Sequence, residues 1–170
     1  CVARRTETIL ISSYFAPCPR GLAGVLAIEL TGLGALNVTE QEAGVAFEAE
    51  LPVAYRANLC SRIASRILWR VAHFPYEREQ HIYDAAMLQP WPSWFDVART
   101  IKVEINAHRC PLKSLDFITL RIKDAVCDHF REQTGARPSV DARAPDVRIH
   151  AFLDATHASL YLDLSGDPLF

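Results

Sequence analysis

The stretch 137-RPSVDARAPDVRIHAFLDATHASLYLDLSGD-167 decides the fold. Within it Val147, Ile149, Ala151 and Leu153 alternate with Arg148, His150 and Phe152, the period of two that gives a strand one apolar and one polar face. Leu160, Leu162 and Leu164 repeat the pattern over 158–164, and the polar link Asp154-Ala155-Thr156-His157 makes the two strands a hairpin. Pro138 and Pro145 keep the segment ahead of them in a loop.

Upstream, Ser114 is a good N-cap and Gly135 a good stop for a long helix running to about Gln133. Leu115, Ile118, Ile122, Ala125, Val126 and His129 form its expected buried stripe. Before it comes a loop over 108–113 with Pro111, and before that the clearest alternation in the chain, 99–107. There Ile101, Val103, Ile105 and Ala107 face one way and Lys102, Glu104 and Asn106 the other. The run 90-PWPSW-94 is expected to hold no regular element, and a weaker helix is expected over 76–88. This half reads α-β-α-β-β.

The first half reads β-α-β-β-α-β, the ferredoxin-like split order. A strand over 8–15 stops at Pro17 and Pro19. A helix from Gly21 then carries Leu22, Val25, Leu26, Leu30 and Leu33 inward, with Glu29 outward, and ends at Gly32 and Gly34. Strands over 36–39 and 44–50 form a hairpin across Glu40-Gln41-Glu42. After Pro52, residues Val53, Ala57, Leu59, Cys60, Ile63 and Ala64 mark a second helix, followed by a strand over 66–74. The expected fold class is therefore α+β, with a ferredoxin-like domain over 1–75 and a second domain over 76–167 that starts as early as 53 on a looser boundary. Residues 168–170 begin a linker.

Half of the 170 residues are hydrophobic, enough for a core without metal or disulfides. The cysteines at 1, 18, 60, 110 and 127 have no C-x-x-C pair or spaced histidine, so reduced thiols in a cytoplasmic protein are expected, and no metal. No run is long and apolar enough to span a bilayer, and 2–13 lacks a signal-peptide pattern. Cys1 reads as a fragment boundary rather than an N-terminal nucleophile. The net charge of −2 is unevenly spread: 51–135 carries +3 and the ends are acidic, which allows a local basic face on a weakly acidic chain.

Several motifs in order carry a family resemblance: Phe15-Ala16 with Arg20-Gly21-Leu22, 44-GVAF-47, 61-SRIASRI-67, 123-KDAV-126, 137-RPSVD-141, 144-APDVRI-149 and 162-LDLSGD-167. Together they resemble the THUMP domain of RNA-modifying enzymes, and most closely the amino-terminal region of bacterial large-subunit rRNA guanine-N2-methyltransferases. The resemblance implies a ferredoxin-like domain followed by a THUMP domain. It implies an RNA-binding arm that docks structured large-subunit rRNA for a methyltransferase domain in cis, absent from these residues. S-adenosylmethionine would be the parent transferase's cofactor, and rRNA processing in the cytoplasm its setting. The chain itself is expected to hold no cofactor and to catalyse nothing, since Gly32 and Gly34 end a helix rather than open one and no N-P-P-Y-like motif occurs. Two alternatives stay open: a tRNA-binding arm of a thiouridine synthetase or tRNA methyltransferase, and a ferredoxin-like protein-interaction module.

The resemblance places His108, Arg109, Lys113 and Ser114 where related THUMP domains present basic residues to RNA. Free N–H groups at the start of the long helix suit a phosphate oxygen, and Arg121, two turns from Ser114, would share that helix face. Arg137, Arg143 and Arg148 flank the proline loop and could take phosphate or stack on an unpaired base. Equally, Arg148 could pair with Asp163, and Asp141 or Asp146 could cap the loop's amides. Arg62 and Arg66, one helical turn apart, are RNA contacts or, with Arg70, ion-pair partners of Glu77, Glu79 or Asp84 between the units. Trp91 and Trp94 are expected as a wedge between the units rather than a base-stacking platform. Lys123 and Asp124 are expected on a solvated helix face, and His73, His81, His150 and His157 receive no role.

Overall fold

A computed structural model describes residues 11–41, 44–64 and 66–163. By compactness the chain divides between Ile67 and Leu68.

The first unit holds β1 (Ile11–Pro17), α1 (Ala23–Gly32), β2 (Leu36–Gln41), β3 (Gly44–Glu50) and α2 (Leu51–Cys60). β3 pairs antiparallel with both β1 and β2, and both helices pack on these strands. The alternation foreseen in β3 holds, since Val45, Phe47 and Ala49 are buried. Phe47 lies opposite Tyr14 in register, their rings stacked at 5.5 Å. Gly44 is required: a Cβ there would run into the backbone of Ala16 and Pro17.

Four expectations for this unit fail. Of the α1 stripe, Leu26 and Leu30 are buried while Leu22 and Val25 are exposed. Glu29, expected outward, accepts from Ser61 Oγ at 2.8 Å and from the Arg62 amide at 3.1 Å. That clamp, with Ser61 Oγ accepting from the Ala64 amide at 3.1 Å, ends α2 at Cys60. Leu59, expected inward, is 85% exposed, and Arg62 and Arg66 lie beyond the helix rather than one helical turn apart.

The second unit holds β4 (Leu68–Pro75), α3 (Glu79–Met87), α4 (Trp91–Trp94), β5 (Ile101–Ala107), α5 (Leu115–Thr134), β6 (Val147–Leu153) and β7 (His157–Asp163). Its strands lie in the order β4-β7-β6-β5, antiparallel except for β5 and β6, which run parallel. α5 is the crossover that a parallel neighbour requires. It is built as the sequence suggests: Ser114 Oγ accepts from the Phe117 amide at 3.2 Å, and Gly135 (φ 79°) closes the helix by donating to Arg131 O at 2.9 Å.

Ile118, Ile122, Ala125, Val126 and Phe130 of α5 pack with Ile101, Ile149, Leu153 and Leu160 in one core. Leu115, expected in that stripe, is 37% exposed, and His129 is half-buried with Nδ1 2.7 Å from Met87 O. The proline run does form a helical turn, because Pro92 stands in the first turn, where no amide is needed. It sends the fully buried Trp91 into this core, its indole N–H donating to Ala86 O at 2.7 Å, with Trp94 edge-on to both Trp91 and Trp69. The tryptophans are core residues of this unit and offer no stacking platform. Leu164 and the rest of 164-LSGD-167 lie outside the described residues.

Candidate nucleic-acid interface

The segment 108–114 joins β5 to α5, and every second residue of it is held. The His108 amide donates to Leu153 O at 2.9 Å, extending the β5–β6 pairing by one bond. Cys110 Sγ lies 3.1 Å from Tyr76 Oη, and Leu112 packs on the core. The same Tyr76 hydroxyl donates to Asp154 O of the β6–β7 hairpin, and burial, then the Cys110 contact, push its pKa far up. Between these anchors the side chains of Arg109, Pro111 and Lys113 are exposed, as are those of His108 and Ser114. The loop is thus a pinned ridge presenting cations, next to the amino end of α5, whose free amides favour an anion.

Arg109 sits at φ 57°, in the left-handed region that costs a residue with a Cβ about 1–2 kcal/mol and costs glycine nothing. Asn37 is the other such non-glycine residue among those described, and asparagine tolerates the conformation. An arginine held where glycine fits better is the kind of local strain that collects at functional sites.

The remaining candidates separate. Arg121 is engaged by α3: its guanidinium lies 4.2 Å from the Tyr83 ring centroid and donates to Gln80 Oε1 at 3.0 Å. Tyr83 in turn donates to Asp128 Oδ2 at 2.7 Å, which, ahead of burial, raises its pKa to about 12. Arg148 pairs with Glu104 on β5 at 3.2 Å rather than with Asp163, and Lys102 reaches the same carboxylate at 3.1 Å. Lys123 and Asp124 pair with each other at 3.1 Å.

Arg137 and Arg143 are exposed but stand at the other end of β5, since Ile101 hydrogen-bonds both Ser139 and Asp141. The seven residues of β5 then put about 20 Å between them and Arg109. Their loop is fixed as foreseen. Asp141 Oδ1 accepts from the Arg143 and Ala144 amides at 2.9 and 3.1 Å, the Ala144 bond leading in holding its carboxyl below the usual range. Asp146 Oδ2 accepts from the Thr100 amide at 3.0 Å. Arg62 is exposed, and Arg66 is half-buried and engaged. Sequence reading gave the histidines no role, but His73 and His157 stack at 5.1 Å, a pairing that needs β4 beside β7 and has no local signal.

Gly32 ends α1 rather than opening a helix, so the Gly32–Gly34 pair is no nucleoside-binding loop. Gly34 closes α1 against Val53, and the β1–α1 junction brings the Glu40 carboxylate to Gly24. No group of three or more potential metal ligands occurs among the described residues, and no described helix is long and apolar enough to cross a membrane.

Comparison with known proteins agrees with this geometry. The sequence matches the THUMP domain over residues 76–163 and the RlmL ferredoxin-like domain over 13–68. It is 43% identical over 156 residues to the ribosomal RNA large subunit methyltransferase K/L of Syntrophotalea carbinolica, covering 92% of this chain and 22% of that protein. To the protein of the same name from Aeromonas hydrophila it is 40% identical over 159 residues, 94% of this chain and 22% of that one. The chain therefore spans about a fifth of the length of these curated relatives. The fold matches that of TrmN from Thermus thermophilus with a TM-score of 0.73 at 22% identity, covering 94% of this chain and 47% of that one. An α+β unit of the ferredoxin-like type followed by a second built on the β5-α5-β6-β7 order, each matched in sequence, places this chain in the THUMP domain family.

Proposed function

We propose that this chain is the RNA-docking arm of an S-adenosylmethionine-dependent rRNA (guanine-N2) methyltransferase, and that structured large-subunit rRNA is its partner. The observation that carries the reading is the pinned ridge 108–114, which presents Arg109 and Lys113 to solvent and accepts backbone strain to do so. Loop cations on a rigid support take phosphates of a fixed RNA shape, which positions without reading sequence. Arg137 and Arg143, about 20 Å away along β5, would meet a second stretch of backbone. The methyltransferase domain, in the same cytoplasmic polypeptide, would supply catalysis and hold the cofactor. The arm raises the effective concentration of the target guanine there.

The test is the double variant Arg109→Ala, Lys113→Ala with a structured rRNA fragment. Each lost phosphate contact lowers the slope of log K against log salt by about 0.9, so the variant's slope is shallower by about 1.8. Its deficit against wild type then shrinks about 12-fold between about 50 and 200 mM salt. An unchanged slope would reject the ridge as the contact.

A further inference from the structure

In the second unit the described helices pack on one face of the sheet only. Val147, Ile149, Ala151 and Leu153 of β6 and Ala158, Leu160 and Leu162 of β7 point into the helix-covered core. The period of two sends Arg148, His150, Phe152, His157, Ser159 and Tyr161 to the opposite face. The strand registers order that face into rows across the four strands. Asn106 lies beside Phe152, Phe152 opposite Ser159, and Ser159 opposite His73; one row on, Glu104 lies beside His150, His150 opposite Tyr161, and Tyr161 opposite Arg70.

The first of these rows is open at three of its four positions. Phe152, on an inner strand, is 42% exposed, and Asn106 and His73 at its two ends are exposed, while Ser159 between them is 6% exposed. The row is also stiff. His73 Nδ1 lies 2.7 Å from Ser159 Oγ, and its ring stacks on His157 with an interplanar angle of 8°. His157 is fixed in turn by its amide, which donates to Asp154 Oδ1 at 2.7 Å.

A flat aromatic ring on an inner strand of a four-stranded sheet, with an amide side chain on one side and an imidazole pair on the other, suits an unpaired nucleobase. The ring supplies a stacking face and the amide supplies both donor and acceptor for a base edge. The following rows carry Arg70, Lys102 and Arg148 against Glu104, which pairs with the last two, and Asp163, so the formal balance of one positive charge adds a weak preference for a phosphate-bearing strand over an acidic partner.

We propose that the helix-free face of the second unit binds single-stranded RNA, one unpaired base stacking on Phe152 with Asn106 at its edge and His73 beside it. This rests on the RNA-docking reading and adds to it a separate surface: the ridge takes backbone of a structured RNA, the sheet takes an unpaired nucleotide.

The experiment compares two RNA probes on the full chain, a blunt hairpin and the same hairpin with a short single-stranded extension, by fluorescence anisotropy. Phe152→Ala is expected to weaken the extended hairpin about 5- to 150-fold, the range for removing one base-stacking aromatic, and to leave the blunt hairpin unchanged. Phe152→Trp keeps a stacking face and is expected to keep the preference for the extension. Equal affinity of wild type and Phe152→Ala for the extended hairpin would overturn the proposal while leaving the ridge intact. Equal loss on both probes, or loss of the preference in Phe152→Trp, would overturn it too, as a packing effect. Failure of wild type to bind either probe would overturn this proposal and the docking reading together.

Discussion

Arg109→Gly is expected to make the protein more stable and its RNA binding worse. At φ 57° a side chain costs about 1–2 kcal/mol in the left-handed region, a cost glycine does not carry. Glycine loses about 0.5–1 kcal/mol more chain entropy on folding, so the net gain spans about 0–1.5 kcal/mol and centres on about 0.75 kcal/mol. The arginine side chain is exposed and its removal leaves no cavity. For a unit of this size that central gain raises Tm by about 2 to 5 °C. Arg109→Ala is the control, since it drops the cation but keeps the Cβ, and its Tm is expected to stay at the wild-type value. Both variants should lower the salt slope of rRNA binding by about 0.9. Thermal melts followed by circular dichroism, with anisotropy titrations at several salt concentrations, read both quantities. A Tm for Arg109→Gly at or below wild type would refute the strain argument, and an unchanged salt slope in both variants would refute the contact.

Three further expectations concern packing, pH and chemistry. Trp91→Ala should cost about 3–5 kcal/mol in urea denaturation, because a fully buried indole leaves a cavity and frees Ala86 O. Asp154 is held below the usual carboxylate range by the amides of Thr156 and, next, His157, so its contribution is complete above the unfolded value and is lost as pH falls through the lower folded one. Asp154→Ala should therefore cost about 0.5–2 kcal/mol at neutral pH, by analogy with helix caps, and flatten the acid limb of a stability–pH profile. Calorimetric titration of the chain with S-adenosylmethionine should show no saturable binding, and micromolar affinity would remove the assignment of catalysis to another domain.

Features encoded locally were legible in the sequence. Ser114 and Gly135 delimit α5 because a cap and a left-handed stop act within a turn, and the alternations of β3 and β6 survive because each buries one face, while β5 buries Ile101 and packs Val103, Ile105 and Ala107 only partly. What failed depends on residues distant in the chain. The capture of Arg121 by Tyr83, the clamp of Glu29 on Ser61 and the pairing of Arg148 with Glu104 leave no periodic trace. The parallel pairing of β5 with β6 is equally silent, and it is what sets Arg137 and Arg143 about 20 Å from Arg109 instead of beside it. Of the candidate site, the exposed cations of 108–114 were readable by residue type. The inward anchors that pin them, and the strain at Arg109, were visible only in three dimensions.

The proposed RNA contact is the ridge 108–114. Ultraviolet crosslinking of the chain to a structured large-subunit rRNA fragment, with modified peptides located by mass spectrometry, tests it most directly. Nucleotide adducts are expected on the peptide that carries Arg109 and Lys113, lost when excess unlabelled fragment competes. Adducts confined to residues 11–67, with 108–114 unmodified, would contradict it.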